Sequence, residues 1–241
     1  SGWNSQTLGV NTVVAANNGL QYRVVVSGTC SPAVTSNVAS LTVYTAPSIT
    51  SQPAARTVCD ATATTFSVGA TGTGLTYQWQ VSTNGGSTWG SLLNLGVYSG
   101  VTTNTLAISS VSTAMNTYRY RVVITGTCGT VTSSGALLTV RSLSTVPTSI
   151  SVSPSTINPG GTITLSYGGG TLGYGASAKW YKGGCGSGTA VATGNNQVIT
   201  PSCSTAADLT YYVRFEGTCN TTSCLNATIA INEYCNGLND D

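Results

Sequence analysis

A shift of 98 positions lays the first 30 residues of this 241-residue chain on its middle part without a gap. Ser1-Gly2 falls on Ser99-Gly100, Thr7-Leu8 on Thr105-Leu106, Val10 on Ile108 and Val13 on Val111. Ala16 falls on Ala114, Asn18 on Asn116, Tyr22-Arg23-Val24-Val25 on Tyr120-Arg121-Val122-Val123, and Gly28-Thr29-Cys30 on Gly126-Thr127-Cys128. After one deletion, Val34-Thr35-Ser36 and Leu41-Thr42-Val43 meet Val131-Thr132-Ser133 and Leu138-Thr139-Val140. A unit of that length is the size of a small domain, so the chain is an array of similar units. Residues 1–45 are the second half of one unit. The first half, expected to contain a Trp strand and a cysteine like Cys59, is missing. Half a layered unit cannot bury its own inner face, so the chain is expected to be a segment of something longer.

Residues 46–143 form the complete copy. In Thr76-Tyr77-Gln78-Trp79-Gln80-Val81 the residues Tyr77, Trp79 and Val81 alternate with polar neighbours, the period-2 pattern of a half-buried strand. Asn84-Gly85-Gly86 then tolerates φ > 0 and predicts a hairpin turn into Ser87-Thr88-Trp89. Ser48-Ile49-Thr50, followed by Pro53, reads as an edge strand, because proline cannot donate to a ladder. Thr64-Thr65-Phe66-Ser67-Val68 is the next strand, with Phe66 and Val68 inward. Further strands are predicted around 106–108, 118–124 and 136–140. A central Trp on a strand about 40 residues before Tyr118-Arg119-Tyr120 resembles the core Trp of an immunoglobulin-like sandwich.

Val146-Pro147 opens a divergent third copy over residues 144–231. Ala178-Lys179-Trp180-Tyr181-Lys182 repeats the Trp strand, and Tyr211-Tyr212-Val213-Arg214-Phe215 with Gly217-Thr218-Cys219 repeats the Tyr strand and its turn. No helical period of useful length occurs. The expected fold is all-β, a tandem of immunoglobulin-like β-sandwiches stacked head to tail, ending in a distinct segment at 232–241.

Composition argues mainly by exclusion. Charged residues are 6% of the chain, against about 25% in ordinary domains. A net charge of +2 without any Lys/Arg cluster offers no footprint for nucleic acid or anionic lipid. No apolar run is long enough to insert in a membrane. Eight Cys and no His point to disulfides in an oxidising, extracellular compartment rather than to zinc. Without His there is no Ser-His-Asp or Cys-His dyad. Asp60 is the one carboxylate in residues 1–207, so a glycosidase pair cannot lie in the first two copies. Asp208 and Glu216 are expected at opposite ends of one strand, and Lys179 and Lys182 read as surface charge rather than isopeptide formers. The chain is expected not to be an enzyme and to need no cofactor.

The wording Phe66-Ser67-Val68, then Thr76-Tyr77-Gln78-Trp79-Gln80-Val81-Ser82-Thr83-Asn84-Gly85-Gly86, then Tyr98-Ser99-Gly100-Val101-Thr102-Thr103 resembles the tandem immunoglobulin-like repeats of giant secreted adhesins from Bacteroidetes. The third copy resembles a related repeat through Lys179-Trp180-Tyr181, Cys185-Gly186 and Glu216-Gly217-Thr218-Cys219-Asn220. It departs from that pattern at Ile157-Asn158-Pro159, where a Cys is usual, and at Cys203, where one is not. The resemblance implies type IX secretion, a cell-surface location and a role in adhesion or gliding motility. Neighbouring repeats, surface polysaccharide or other surface proteins are then the expected partners. The competing reading is a carbohydrate-binding module of a secreted polysaccharide-degrading enzyme, which a planar cluster of exposed aromatics would favour. Trp89, just past the hairpin turn, either covers the sheet or stacks on a sugar. The sequons at Asn220 and Asn226 matter only in a eukaryotic secretory route.

Cysteine pairing follows from which turns share an end of the sandwich. On an immunoglobulin-like topology Cys185 and Cys203 are expected to pair, and Cys219 and Cys224 to pair across one hairpin. Parity joins Cys59 to Cys128, whereas strand direction sets them at opposite ends, beyond the ~5.5 Å Cα spacing of a disulfide. Pairing between neighbouring repeats would send Cys128 to the missing half and leave Cys59 competing for Cys219 or Cys224. The partners of Cys30, Cys59, Cys128 and Cys235 stay open. The tail Glu233-Tyr234-Cys235-Asn236-Gly237-Leu238-Asn239-Asp240-Asp241 resembles the opening of a metal-binding repeat of secreted bacterial proteins, with Asn239 replacing an Asp. Asn236, Asn239, Asp240 and Asp241 are its candidate ligands. Ca²⁺ wants six to eight oxygens, so binding is expected only with residues beyond Asp241.

Overall fold

The computed structural model describes residues 4–158, 160–201 and 208–231. Apart from single 3₁₀ turns at Ala15–Asn17 and Thr113–Met115, its regular elements are β-strands. The two turns are one repeat length apart, as the sequence shift requires.

Residues 4–45 carry four two-residue strands, β1 (Gln21–Tyr22), β2 (Val25–Val26), β3 (Val34–Thr35) and β4 (Ala39–Ser40). β1 pairs with β4 and β2 with β3, both antiparallel. The apolar positions of this segment are exposed: Leu8 at 44%, Val24 at 51% and Val26 at 62%. Their equivalents in the complete copy, Leu106, Val122 and Ile124, are fully buried.

The complete copy contains β5 (Ser48–Ser51), β6 (Arg56–Cys59), β7 (Thr64–Ser67), β8 (Gly69–Thr71), β9 (Thr76–Ser82), β10 (Gly90–Ser91), β11 (Tyr98–Ser99), β12 (Thr105–Ile108), β13 (Arg119–Gly126), β14 (Gly129–Thr132) and β15 (Ala136–Arg141). One sheet runs β10-β9-β13-β15-β6, with β14 added to β13. β11-β12-β7 forms the facing layer, and β5 pairs with β8. Alternation decides the faces: β13 reads Tyr120, Val122 and Ile124 buried between half-buried Arg119, Arg121 and Val123. Trp79 lies opposite Val122 in the ladder, and Leu106 lies opposite Phe66. Phe66 stacks on Tyr120 with ring centroids 4.9 Å apart. The Trp79 indole N–H donates to the Thr103 carbonyl at 2.9 Å, so a fully buried ring leaves no polar atom unpaired.

The third copy is built from β16 (Ser149–Ser153), β17 (Thr156–Ile157), β18 (Ile163–Gly168), β19 (Ser177–Lys182), β20 (Ala192–Thr193), β21 (Gln197–Ile199), β22 (Asp208–Glu216) and β23 (Leu225–Ile231). Its sheets run β16-β18-β21 and β17-β23-β22-β19-β20. The core gathers Ile163, Leu165, Trp180, Tyr211, Val213 and Phe215. Trp180 again donates its N–H to a backbone carbonyl, that of Gly194, at 2.8 Å.

By packing, the chain divides into two compact units. One comprises Ser1–Arg56, Ala63–Ser109 and Thr117–Leu138; the other comprises Thr57–Thr62, Ser110–Asn116 and Thr139–Asp241. Among the described residues, every buried side-chain nitrogen and oxygen has a hydrogen-bond partner.

Two expected disulfides are corrected. Cys185 bonds Cys224 rather than Cys203, and Cys219 bonds Cys59 rather than Cys224. The loop after β19 carries Gly183, Gly186 and Gly188 at φ of 80°, 72° and 67°, left-handed values open to glycine. It turns back over the sheet until Gly186 lies against the Arg214 guanidinium, beside Cys224, the residue before β23. Cys219 sits at the tip of the β22–β23 hairpin, where Gly217 N–H bonds the Asn220 carbonyl at 3.0 Å. Cys224 lies five residues farther along the returning chain, immediately before β23. At about 3.3 Å per strand residue, that separation exceeds disulfide reach. Cys203, Cys235 and the candidate ligands Asn236, Asn239, Asp240 and Asp241 fall outside the described residues.

Candidate functional site

The densest chemistry in the second unit surrounds the Cys59–Cys219 bond, which closes 160 residues of chain with a Cα separation of 5.6 Å. β6 ends at Cys59 in a turn held by Thr62, whose hydroxyl donates to the Cys59 carbonyl at 2.6 Å. Ala61 adopts φ of 60° in that turn. The Asp60 N–H bonds the carbonyl of Arg141, the last residue of β15, at 2.8 Å. The Asp60 carboxylate accepts the Thr113 N–H at 3.1 Å. The one carboxylate of the first two copies is thus a backbone cap.

From the other side, Asn220 fastens the incoming chain. Its side-chain oxygen accepts the Ser144 N–H at 2.8 Å, and its NH₂ donates to the Ser144 carbonyl at 2.9 Å. Both ends of the amide are used, so this sequon side chain is committed to structure. The Ser144 hydroxyl accepts the Gly173 N–H at 3.0 Å. Gly173 packs so closely on the backbone of 142–144 that a Cβ there would lie 2.5 Å from Ser144 N. The Arg141 guanidinium covers the ring of exposed Tyr174 at 4.2 Å.

A second cluster lies on β19 and β22. The Arg214 Nη2 sits 2.6 Å from Glu216 Oε1, its Nε donates to the same oxygen at 2.7 Å, and the Tyr181 hydroxyl donates to it at 2.5 Å. The Tyr181 hydrogen bond, with Arg214 adding to it, holds the Glu216 carboxyl below its usual range. The same bond pushes Tyr181 up. Both pKa values move away from neutral pH, the range in which a general acid or base works. Asp208 stands at the far end of β22, as expected. Eight strand rises of about 3.3 Å put the two backbones about 26 Å apart, far beyond the ~5–9.5 Å of a glycosidase pair. Lys179 donates to Thr193 Oγ1 at 3.1 Å.

Trp89 is half-buried rather than displayed. Arg121 lies over its ring at 4.2 Å, its N–H donates to the Gly86 carbonyl at 3.0 Å, and Gly135 leaves room for the ring edge. A Cβ at Gly135 would lie 2.8 Å from the indole. The Arg121 side chain is itself held by Gln80 at 2.8 Å. The covering role is the one this geometry matches. Among the described residues the exposed aromatics are Tyr44 and Tyr174, and no flat aromatic platform is formed. Among the same residues no group of three or more His, Cys, Asp or Glu gathers in metal-binding geometry.

Residues 48–142 match a family model described as a domain of unknown function (DUF8696). No curated protein matches the chain. Among solved structures, titin domains I67–I69 share 14% identity over 78% of this chain and 66% of that chain, with a TM-score of 0.53. Titin domains A168–A170 share 14% over 90% of this chain and 77% of that one, with a TM-score of 0.52. The chain is a tandem of immunoglobulin-like sandwiches. At 14% identity the likeness is one of fold. The chain spans about two thirds of the length of the I67–I69 structure it matches. Sequence reasoning missed two features of these immunoglobulin-like repeats, the Arg214–Glu216–Tyr181 cluster and the Asn220 clamp. Arg214 two residues before Glu216, and so on the same face of its strand, was the available signal for the first. Nothing local to Asn220 marked the second.

Proposed function

We propose that the chain is a non-catalytic extracellular spacer segment that transmits load within a large cell-surface protein, an adhesin of the Bacteroidetes type exported by type IX secretion. The observation that carries this reading is the Cys59–Cys219 bond, which joins a strand end of the second copy to a hairpin tip of the third. A covalent tie there removes 160 residues from the path along which tension runs. The absence of exposed aromatic clusters among the described residues speaks against the sugar-binding alternative, as does the structural use of Asp60 and Glu216. Neighbouring repeats are the natural partners of such a segment, and an adhesive surface elsewhere in the protein would supply ligand recognition.

Single-molecule pulling between the two termini tests the reading. At about 3.5 Å per extended residue, a 160-residue closed loop hides about 560 Å of contour. The fully reduced chain is expected to extend by that much more than the oxidised one. Equal extension in both states, or turnover of a polysaccharide or peptide by the purified chain, would overturn the proposal.

A further inference from the structure

Cys30, Cys128 and Cys219 occupy one position, the third residue of a Gly-Thr-Cys turn, in three successive copies. Only Cys219 has a partner; Cys30 and Cys128 are free and exposed. The partner of Cys219 is Cys59, which stands before its own copy's Phe66 and Trp79 strands. The bond therefore runs from the first half of one copy to the Tyr-strand turn of the next. We infer that Cys128 is built for the same bond, to a cysteine at the Cys59 position of the half-repeat that completes residues 4–45.

Two independent sets of contacts lead there. The turn of Cys128 is fastened to the chain that enters its copy, as the turn of Cys219 is. Thr127 donates its N–H and its hydroxyl to the Thr73 carbonyl at 2.9 and 3.2 Å, and the Thr73 N–H in turn bonds the Thr45 carbonyl at 3.1 Å. Thr45 and Thr73 join hydroxyls at 3.0 Å, as Thr145 and Thr171 do at 2.9 Å in the third copy. The stretch from Tyr44 to Thr45 is three residues shorter than its counterpart from Arg141 to Thr145. It therefore holds the turn at least as near to the end of the preceding copy.

The second set concerns what completes residues 4–45. Leu8, Tyr22 and Val24 line an open trough of about 520 Å³. In the complete copy, the equivalents Leu106 and Val122 pair with Phe66 and Trp79. The occupant that fits is thus a half-repeat of this same class, and that half is the one that bears the Cys59-type residue.

Bond formation removes two protons and two electrons from the two thiols. A small-molecule disulfide accepts them through two thiol–disulfide exchanges and leaves as two thiols.

The test extends the full chain by a second copy of residues 46–98 placed before Ser1, which restores the register because Ser1 corresponds to Ser99. The purified protein is equilibrated with oxidised and reduced glutathione, then mapped by non-reducing peptide analysis and hydrogen exchange. Amides of residues 20–43 are expected to gain the protection shown by 118–140. Cys128 is expected to lose its thiol reactivity to a bond with the added Cys59, while Cys30 still titrates. Changing the added Cys59 to Ser should return Cys128 to full reactivity without loss of the new amide protection. A Cys128 that stays reactive in the protected fusion, a bond from the added cysteine to Cys30 or Cys219, or no gain in protection would each overturn the inference.

Discussion

Trp180 shows how one side chain organises a copy. Its ring is fully buried, Tyr167 packs on it with centroids 6.4 Å apart, and its N–H is satisfied by Gly194. Trp180→Ala removes that packing and leaves a large cavity, at a cost of about 3–5 kcal/mol. Trp89, with Arg121 on its face and its edge half in water, loses a cation–π contact of about 1 kcal/mol on truncation. Urea unfolding of the two variants should separate them by at least 2 kcal/mol. Equal losses would mean that Trp89 belongs to the core. Glu216 supplies a pH test at the same scale. Its folded pKa lies below the unfolded value of 4.5, so its contribution is fully present above that value and is lost as pH falls through the folded value. Glu216→Gln should cost about 1–2 kcal/mol at pH 7 by leaving Arg214 without its anion. The gap between variant and wild type should close below pH 4.5. A gap that does not narrow as pH falls below 4.5 would show that the cluster acts through packing rather than charge.

At the scale of elements, one hydroxyl turn recurs in all three copies. Ser133 accepts the Val122 N–H at 3.0 Å and donates to the Ser134 carbonyl at 3.0 Å. Ser36 makes the same bonds to Val24 and Asn37, and Thr222 makes them to Phe215 and Ser223. The turn lets the strand after the hairpin change course while each backbone group stays paired. Asn18 and Asn116 repeat a second device, accepting the N–H of Val43 and of Val140 at 2.9 Å. The half copy therefore keeps local repeat geometry where it lacks a buried core. Ser133→Ala leaves a buried N–H unpaired and should cost about 1–2 kcal/mol. Ser36→Ala, at an exposed site where water replaces the hydroxyl, should cost under about 0.5 kcal/mol. Thermal unfolding of the two variants checks the contrast, and a similar loss for both would show that residues 4–45 are buried in solution.

For the whole molecule, the two disulfides differ in the chain they close, 160 residues against 39. Loop-closure entropy assigns about 5 kcal/mol to the longer and about 4 to the shorter. The Cys59→Ser/Cys219→Ser pair of changes should therefore lower stability by up to about 5 kcal/mol. In the pulling experiment it should add about 420 Å rather than 560, because Cys185–Cys224 still closes its own loop. An added extension near 560 Å would show that the second bond does not survive without the first.

The repeat, the strand faces and the two core tryptophans could be read from sequence because each rests on local order. Alternation places Tyr77, Trp79 and Val81 on one face whatever the rest of the chain does, and the 98-residue shift needs only the text. The expected separation of Asp208 and Glu216 followed from the same period. The disulfides did not follow, because pairing depends on where loops travel after their strands end. Three glycines with positive φ fold the Cys185 loop back over its sheet, and a four-residue hairpin tip carries Cys219 away from Cys224. The Asn220 clamp likewise joins residues 76 positions apart. Sequence determines which groups are apolar, paired in period or absent altogether; only the tertiary structure decides which distant groups meet, because contact energy depends on distances that no local pattern encodes.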